Sequence, residues 1–206
     1  MVNEMNRLCA LAGLPLVILG LAAQADTIGT NRIGVNGSYS TGGEVQNPQG
    51  GFGAQGEFAI NRNFGIELAV DQFSDDSTQD GIEITQDLTT IGLSMVFRGQ
   101  FNQRFGGYGL IGLDYNMPNT HVTLDPGYYG PGWHASANLD DAFGGHFGGG
   151  LNLRLADHVE LFLEYRYTAL ELKGDLTVTN GNYSYTDRVT GNNDFGLFKL
   201  GINVVF

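Results

Sequence analysis

Eight segments of this chain alternate between large apolar residues and small or polar ones. The last shows the pattern most plainly: Phe198, Leu200, Ile202 and Val204 fall on one face, and Lys199, Gly201, Asn203 and Val205 on the other, before the chain stops at Phe206. Side chains alternate across a strand, so a period of two over a dozen residues dictates a strand with unlike faces. Past residue 25 no apolar stretch reaches the roughly 20 residues that a membrane helix needs. A chain of such strands that crosses lipid has one solution, a closed barrel, because every backbone polar group in the slab must find a partner. The expected fold is all-β, an eight-stranded antiparallel up-and-down transmembrane β-barrel.

Residues 1–25 read as an export signal. Arg7 supplies a weak basic start, partly cancelled by Glu4. Leu8 to Ala22 is an apolar run, and Ala23-Gln24-Ala25 offers the small-x-small cleavage pattern. A transmembrane anchor is the competing reading, and the run is short for one. The expected division is a signal peptide over 1–25 and a barrel domain over 26–206. The single cysteine, Cys9, lies inside the signal. The remaining chain therefore has no thiolate for a disulfide, a metal or a nucleophile.

The segments assign faces strand by strand. One set holds Val35 and Tyr39; Phe52 and Phe58; Ile66 and Leu68; Leu93, Met95 and Phe97; Ile111 and Leu113; Phe147, Leu151 and Leu153; Leu161, Leu163 and Tyr165; and the closing apolar series. The opposite set is rich in glycine, with isolated Glu, Asp, Arg, Asn and Lys. That composition suits a crowded lumen, with the bulky face turned to lipid. A soluble barrel with the two faces exchanged is the competing reading. Connections alternate between tight turns at 61–63, 98–104 and 156–158 and long polar stretches at 41–50, 74–87, 117–142 and 172–193. Tyr39, Tyr115, Tyr165 and Tyr167 fall near the long-loop ends and Phe64, Phe97, Phe105 and Phe206 near the turns, as two aromatic girdles would.

The Glu164-Tyr165-Arg166-Tyr167 strand, the Gly106-Gly107-Tyr108 strand opening and the closing Leu200-Gly201-Ile202-Asn203-Val204-Val205-Phe206 resemble the small eight-stranded outer-membrane proteins of Gram-negative bacteria, the opacity-protein and OmpA-barrel-like families. The resemblance covers essentially all of 26–206. It implies a monomeric barrel in the cell outer membrane, often a surface-exposed structural protein or adhesin, in contact with outer-membrane lipid and lipopolysaccharide. It implies no cofactor.

Candidate functional residues fall in three groups. Glu57, Glu67, Asp71, Asp114, Arg154, Glu164, Arg166 and Lys199 all point inward in this register. Bare buried charges are costly, so these should pair across the lumen and plug it. The competing reading is an ion-selective pore, which an eight-stranded interior leaves little room for. Asp76, Thr78, Asp80 and Asp87 place oxygens at positions 1, 3, 5 and 12 of a calcium-type loop, although Glu83 takes the usual apolar position and no helices flank it. Tyr128, Tyr129 and Trp133, in a Gly/Pro-rich loop, serve either to contact an extracellular ligand or host surface or to pack on one another.

Gly107-Tyr108-Gly109-Leu110-Ile111-Gly112 matches a dinucleotide fingerprint only in spelling, because an alternating strand continues where a helix should begin. The net charge of −12 gathers in the long loops and would repel nucleic acid. No serine can be placed beside a histidine at the lipid face, which argues against a lipid A-modifying enzyme. Together these features predict a non-enzymatic barrel with a structural or surface-interaction role. A narrow channel for small solutes is the alternative.

Overall fold

A computed structural model describes residues 30–41, 49–79, 81–129, 132–181, 183–192 and 194–206; the export signal, and Asp80 of the calcium-type pattern, lie outside them. The strands are β1 (Arg32–Thr41), β2 (Gly50–Ala59), β3 (Phe64–Gln79), β4 (Ile82–Gln100), β5 (Phe105–Leu124), β6 (Trp133–Leu139), β7 (Ala142–Ala156), β8 (Val159–Asn180), β9 (Tyr183–Asn192) and β10 (Phe195–Val205). One helical turn, α1 (Pro126–Tyr129), follows β5.

Eight of these strands form the barrel. β1, β2, β3, β4, β5, β7, β8 and β10 pair antiparallel in that order, and β10 returns to pair with β1 from Thr41↔Gly196 to Arg32↔Val205. Closure continues one pair further, where Asn31 and Phe206 exchange backbone hydrogen bonds at 3.0 and 3.1 Å. No edge is left along the wall, the condition lipid imposes on a sheet.

The faces fall as the alternation predicts. Phe143 is 77% exposed and Leu113 67%, with Val35, Phe52, Leu93, Leu163, Leu200 and Val204 beside them on the outer wall. Gln55, Glu67, Asp114, Glu164, Lys199 and Asn203 are buried inside. A soluble barrel would have the reverse arrangement. Tyr115 stacks near Phe143 (5.1 Å), Phe147 near Tyr167 (5.5 Å) and Tyr165 near Phe198 (4.8 Å) at one level, and Phe64 lies near Phe97 (5.3 Å) at the other. These are the two expected girdles.

The long connections are a correction. The stretches 74–87, 117–142 and 172–193, expected as loops, are mostly strand. β3 and β4 stay paired out to Gln79↔Ile82, and β4 with β5 out to Ile82↔Leu124. β8 runs on above the barrel between β6 and β9, which pair with Gly174–Asn180 and Glu171–Asn180. The pattern hides this because β9 is exposed at every position, so neither face carries an apolar series. The barrel thus rises on one side into a β3–β4–β5 wall and on another into a β6–β8–β9 wall. At the opposite end the described strands are joined by short turns.

If the outer wall faces acyl chains, Leu163→Arg, half-way between the girdles, should destabilise the folded barrel in lipid vesicles by about 2–4 kcal/mol. Denaturant titration of the reconstituted protein measures this, and an unchanged midpoint would mean that this face does not meet lipid.

Candidate functional site

The lumen is filled in three layers, each set by how far a strand's inward series has climbed. At the short-turn end, Arg98 on β4 chelates Glu57 on β2 through Nε (2.7 and 2.9 Å) and Nη2. Arg32 on β1 bridges Glu57 (3.4 Å) and Glu160 (2.9 Å), and Arg154 on β7 joins Glu160 at 3.2 Å. The result is a chain of five alternating charges, Arg98–Glu57–Arg32–Glu160–Arg154.

The middle layer holds the most deeply buried charges. Arg166 on β8 donates to Glu67 (2.9 Å) and to Glu164 (3.0 Å), and Glu164 also accepts from the Tyr108 hydroxyl at 2.9 Å. Lys199 pairs with Asp71; Lys199 and Glu164 are both fully shielded from solvent. His146 Nε2 lies 2.8 Å from Ser94 Oγ, while its Nδ1 sits 2.8 Å from Asp114 Oδ1 without the alignment of a hydrogen bond. Backbone must come close for this to fit. A Cβ on Gly112 would lie 2.6 Å from His146 Nε2, and one on Gly92 2.8 Å from Asp114 Oδ1.

Above these charges the inward series turn apolar. Phe73, Leu88, Ala142, Leu170, Leu172, Phe195 and Leu197 form one buried cluster, with Phe73 and Phe195 edge to face at 6.5 Å. The cluster continues inward rows by two-residue steps: Glu67, Ala69, Asp71, Phe73 on β3, and Lys199, Leu197, Phe195 on β10. A charged layer and an apolar layer therefore occupy the lumen in series.

The inward charges expected from sequence all lie on the inner face, with Arg154 one-third exposed at the mouth and the others buried, but they do not form one network. Glu57 and Arg154 belong to the short-turn mouth, and Glu67, Asp71, Asp114, Glu164, Arg166 and Lys199 to the middle. Arg32, Arg98 and Glu160 were not among the expected members; the first two lie one step beyond the inward rows Asn36–Gly34 and Ser94–Val96, and Arg98 falls where the chain reads as turn. His146 does have a serine neighbour, inside the lumen rather than at the lipid face. Ser94, His146 and Asp114 have the composition of a hydrolytic triad, but all three are buried within the charged middle layer, at 1–2% exposure.

The calcium-type pattern lies on the β3–β4 hairpin. Ser74 donates to Asp87 at 2.5 Å, and Asp76 and Thr78 pair across the backbone with Thr85 and Glu83, farther out. Among the described residues no group of three or more acidic, histidine or cysteine side chains is placed to hold a metal. Tyr128 and Tyr129 pack with their rings tilted at 59° and centroids 5.1 Å apart, and Tyr128 covers the Gly81 turn, where φ is +76°. Trp133 begins β6, opposite Asn180. The three aromatics expected to act together are thus split between two walls.

A family model for the outer membrane protein beta-barrel domain matches residues 9–206. The chain belongs to that family. Its place is the outer membrane. Among solved structures it is similar to the outer membrane protein OprG from Pseudomonas aeruginosa, with 16% identity and a TM-score of 0.68 over 89% of this chain and 98% of that one. A major outer membrane protein from Thermus thermophilus gives a TM-score of 0.60 at 13% identity, covering 85% and 99%. Neisserial surface protein A gives 0.58 at 12%, covering 86% and 96%. At these identities the likeness is one of fold. No curated protein sequence matches the chain.

Removing one member of a buried pair strands its partner in a low-dielectric interior. Lys199→Met should cost about 3–5 kcal/mol, and adding Asp71→Leu should recover most of that loss. Denaturant midpoints of the wild-type, single and double variants in one detergent measure the coupling; additive losses would mean that Lys199 and Asp71 do not act as a pair.

Proposed function

We propose that this protein is a non-conducting, non-enzymatic barrel that presents its strand extensions at the cell surface for interaction. The observation that carries the reading is the double filling of the lumen, by paired charges and then by the cluster around Phe73 and Phe195. An eight-stranded interior is just wide enough for side chains to fill, and here they fill it. With the short turns towards the periplasm, the β3–β4–β5 and β6–β8–β9 walls stand outside.

Those walls are built for contact. Tyr183 is 83% exposed and Tyr185 68%, with Tyr128 and Trp133 also presented to solvent. Such rings are amphipathic anchors of the kind that interfaces favour. Asp75, Asp76, Asp87, Asp125, Asp140, Asp141, Asp175 and Asp187 lie on or beside the same walls, against Lys173 and Arg188. An acidic surface above anionic lipopolysaccharide is held there by divalent cations or selects basic partners. The barrel closes within a single chain, so a monomer suffices.

Two measurements test the proposal. Protein reconstituted in planar bilayers should give no discrete conductance steps, and regular steps would replace this reading with a narrow channel for small solutes. Cells displaying Tyr183→Ser/Tyr185→Ser should adhere severalfold less to an epithelial monolayer than cells displaying wild type, with equal surface amounts of folded barrel. Equal adherence would remove those tyrosines from the contact surface.

A further inference from the structure

Five of the chain's ten lysines and arginines, Arg32, Arg62, Arg98, Arg104 and Arg154, collect at the short-turn end, although the net charge is −12. Three of them share two carboxylates, Glu57 and Glu160. Arg62, on the β2–β3 turn, and Arg104, on the β4–β5 turn, have no carboxylate partner among the described residues. A cavity of about 380 Å³ opens beside Arg62, lined also by Arg32, Arg98, Arg154 and the paired Glu57, with Asn61, Asn63, Gln100 and Asn152. A second, of about 470 Å³, adjoins it through Gln100 and Arg154 and adds Arg104 and Asp157.

We propose that this mouth is a binding site for a phosphate group. Guanidinium is always charged and offers its N–H groups as a flat fork that matches phosphate and carboxylate oxygens. Here the forks arrive from β1, the β2–β3 turn, β4 and β7, that is, from several sides of one space. That arrangement suits a tetrahedral group with oxygens in several directions better than a planar carboxylate. Glu57 and Glu160 hold Arg32, Arg98 and Arg154 in place but leave a surplus of positive charge, so an incoming anion meets donors already oriented. The amides of Asn61 and Asn152 add neutral donors at the rim, while Asn63 spends its amide on the Arg98 carbonyl. The volume leaves room for an organic substituent on the phosphate. With the short turns towards the periplasm, the group comes either from a soluble phosphate compound or from the headgroup of a lipid in the inner leaflet. The site lies at the opposite end from the proposed contact surface and does not depend on it.

The test uses the folded barrel in a non-ionic detergent at low ionic strength. Equilibrium dialysis against radiolabelled inorganic phosphate should show saturable binding, with acetate at matched ionic strength at least tenfold weaker as a competitor. The double variant Arg62→Gln/Arg104→Gln changes only exposed turn residues, so it should keep its heat-modifiable gel mobility. It should bind phosphate at least tenfold more weakly. Phosphatidylglycerol added in mixed micelles decides the source: if it displaces the label the headgroup is the ligand, and if it does not the ligand is soluble, and either result upholds the site. Absence of saturable binding, equal competition by acetate, or unchanged binding by a folded double variant would overturn the proposal.

Discussion

The pairing of β10 with β1 is the contact on which the rest depends. In lipid an unpaired N–H or C=O costs several kcal/mol, so an open sheet of these strands would have no stable place in the slab. The pairing runs from Thr41↔Gly196 down to Asn31 and Phe206 without a break. It also fixes every inward row, because shifting one strand by a residue would turn its apolar series into the lumen and its charges into lipid. The large energetic difference between the two faces is what holds the register.

Closing the wall creates a second problem inside it. The lumen is narrow, yet the alternation delivers Glu67, Asp71, Asp114 and Glu164 into it with Arg166 and Lys199. Interior charge is tolerated where opposite signs meet with good geometry, and Arg166 meets Glu67 and Glu164 at once. The glycines complete the account. At Gly92 and Gly112 a side chain would occupy the space that Asp114 and His146 need, so the glycine-rich character of the inner face makes room for its few large polar groups.

This division explains what the sequence revealed and what it did not. Period two reports the face of each residue, and it placed Glu164, Lys199, Leu113 and Phe143 on the correct sides. It does not report height. Whether Arg154 meets Glu160 at the mouth or Glu164 in the middle depends on the stagger between strands, and partners such as Lys199 and Asp71 are 128 residues apart. Strand ends were hidden for a related reason. Beyond the membrane both faces meet water, so β9 reads as polar loop while its backbone continues the ladder. The apolar cluster was concealed because Phe73 and Phe195 look like ordinary outward aromatics until the inward row is followed through them.

The two ends of the barrel differ in a way that follows from these layers. Where the lumen ends in apolar side chains, the wall continues outward as sheet, and its exposed carboxylates need no pairing because water solvates them. At the other end the lumen finishes in charge, and the excess there is positive. The apolar cluster and the paired charges of the middle layer lie between the two ends. The acidic extensions and the arginine-lined mouth are therefore two separate surfaces at opposite ends of one barrel, and it is water and salt, rather than the buried side chains, that screen each from the other.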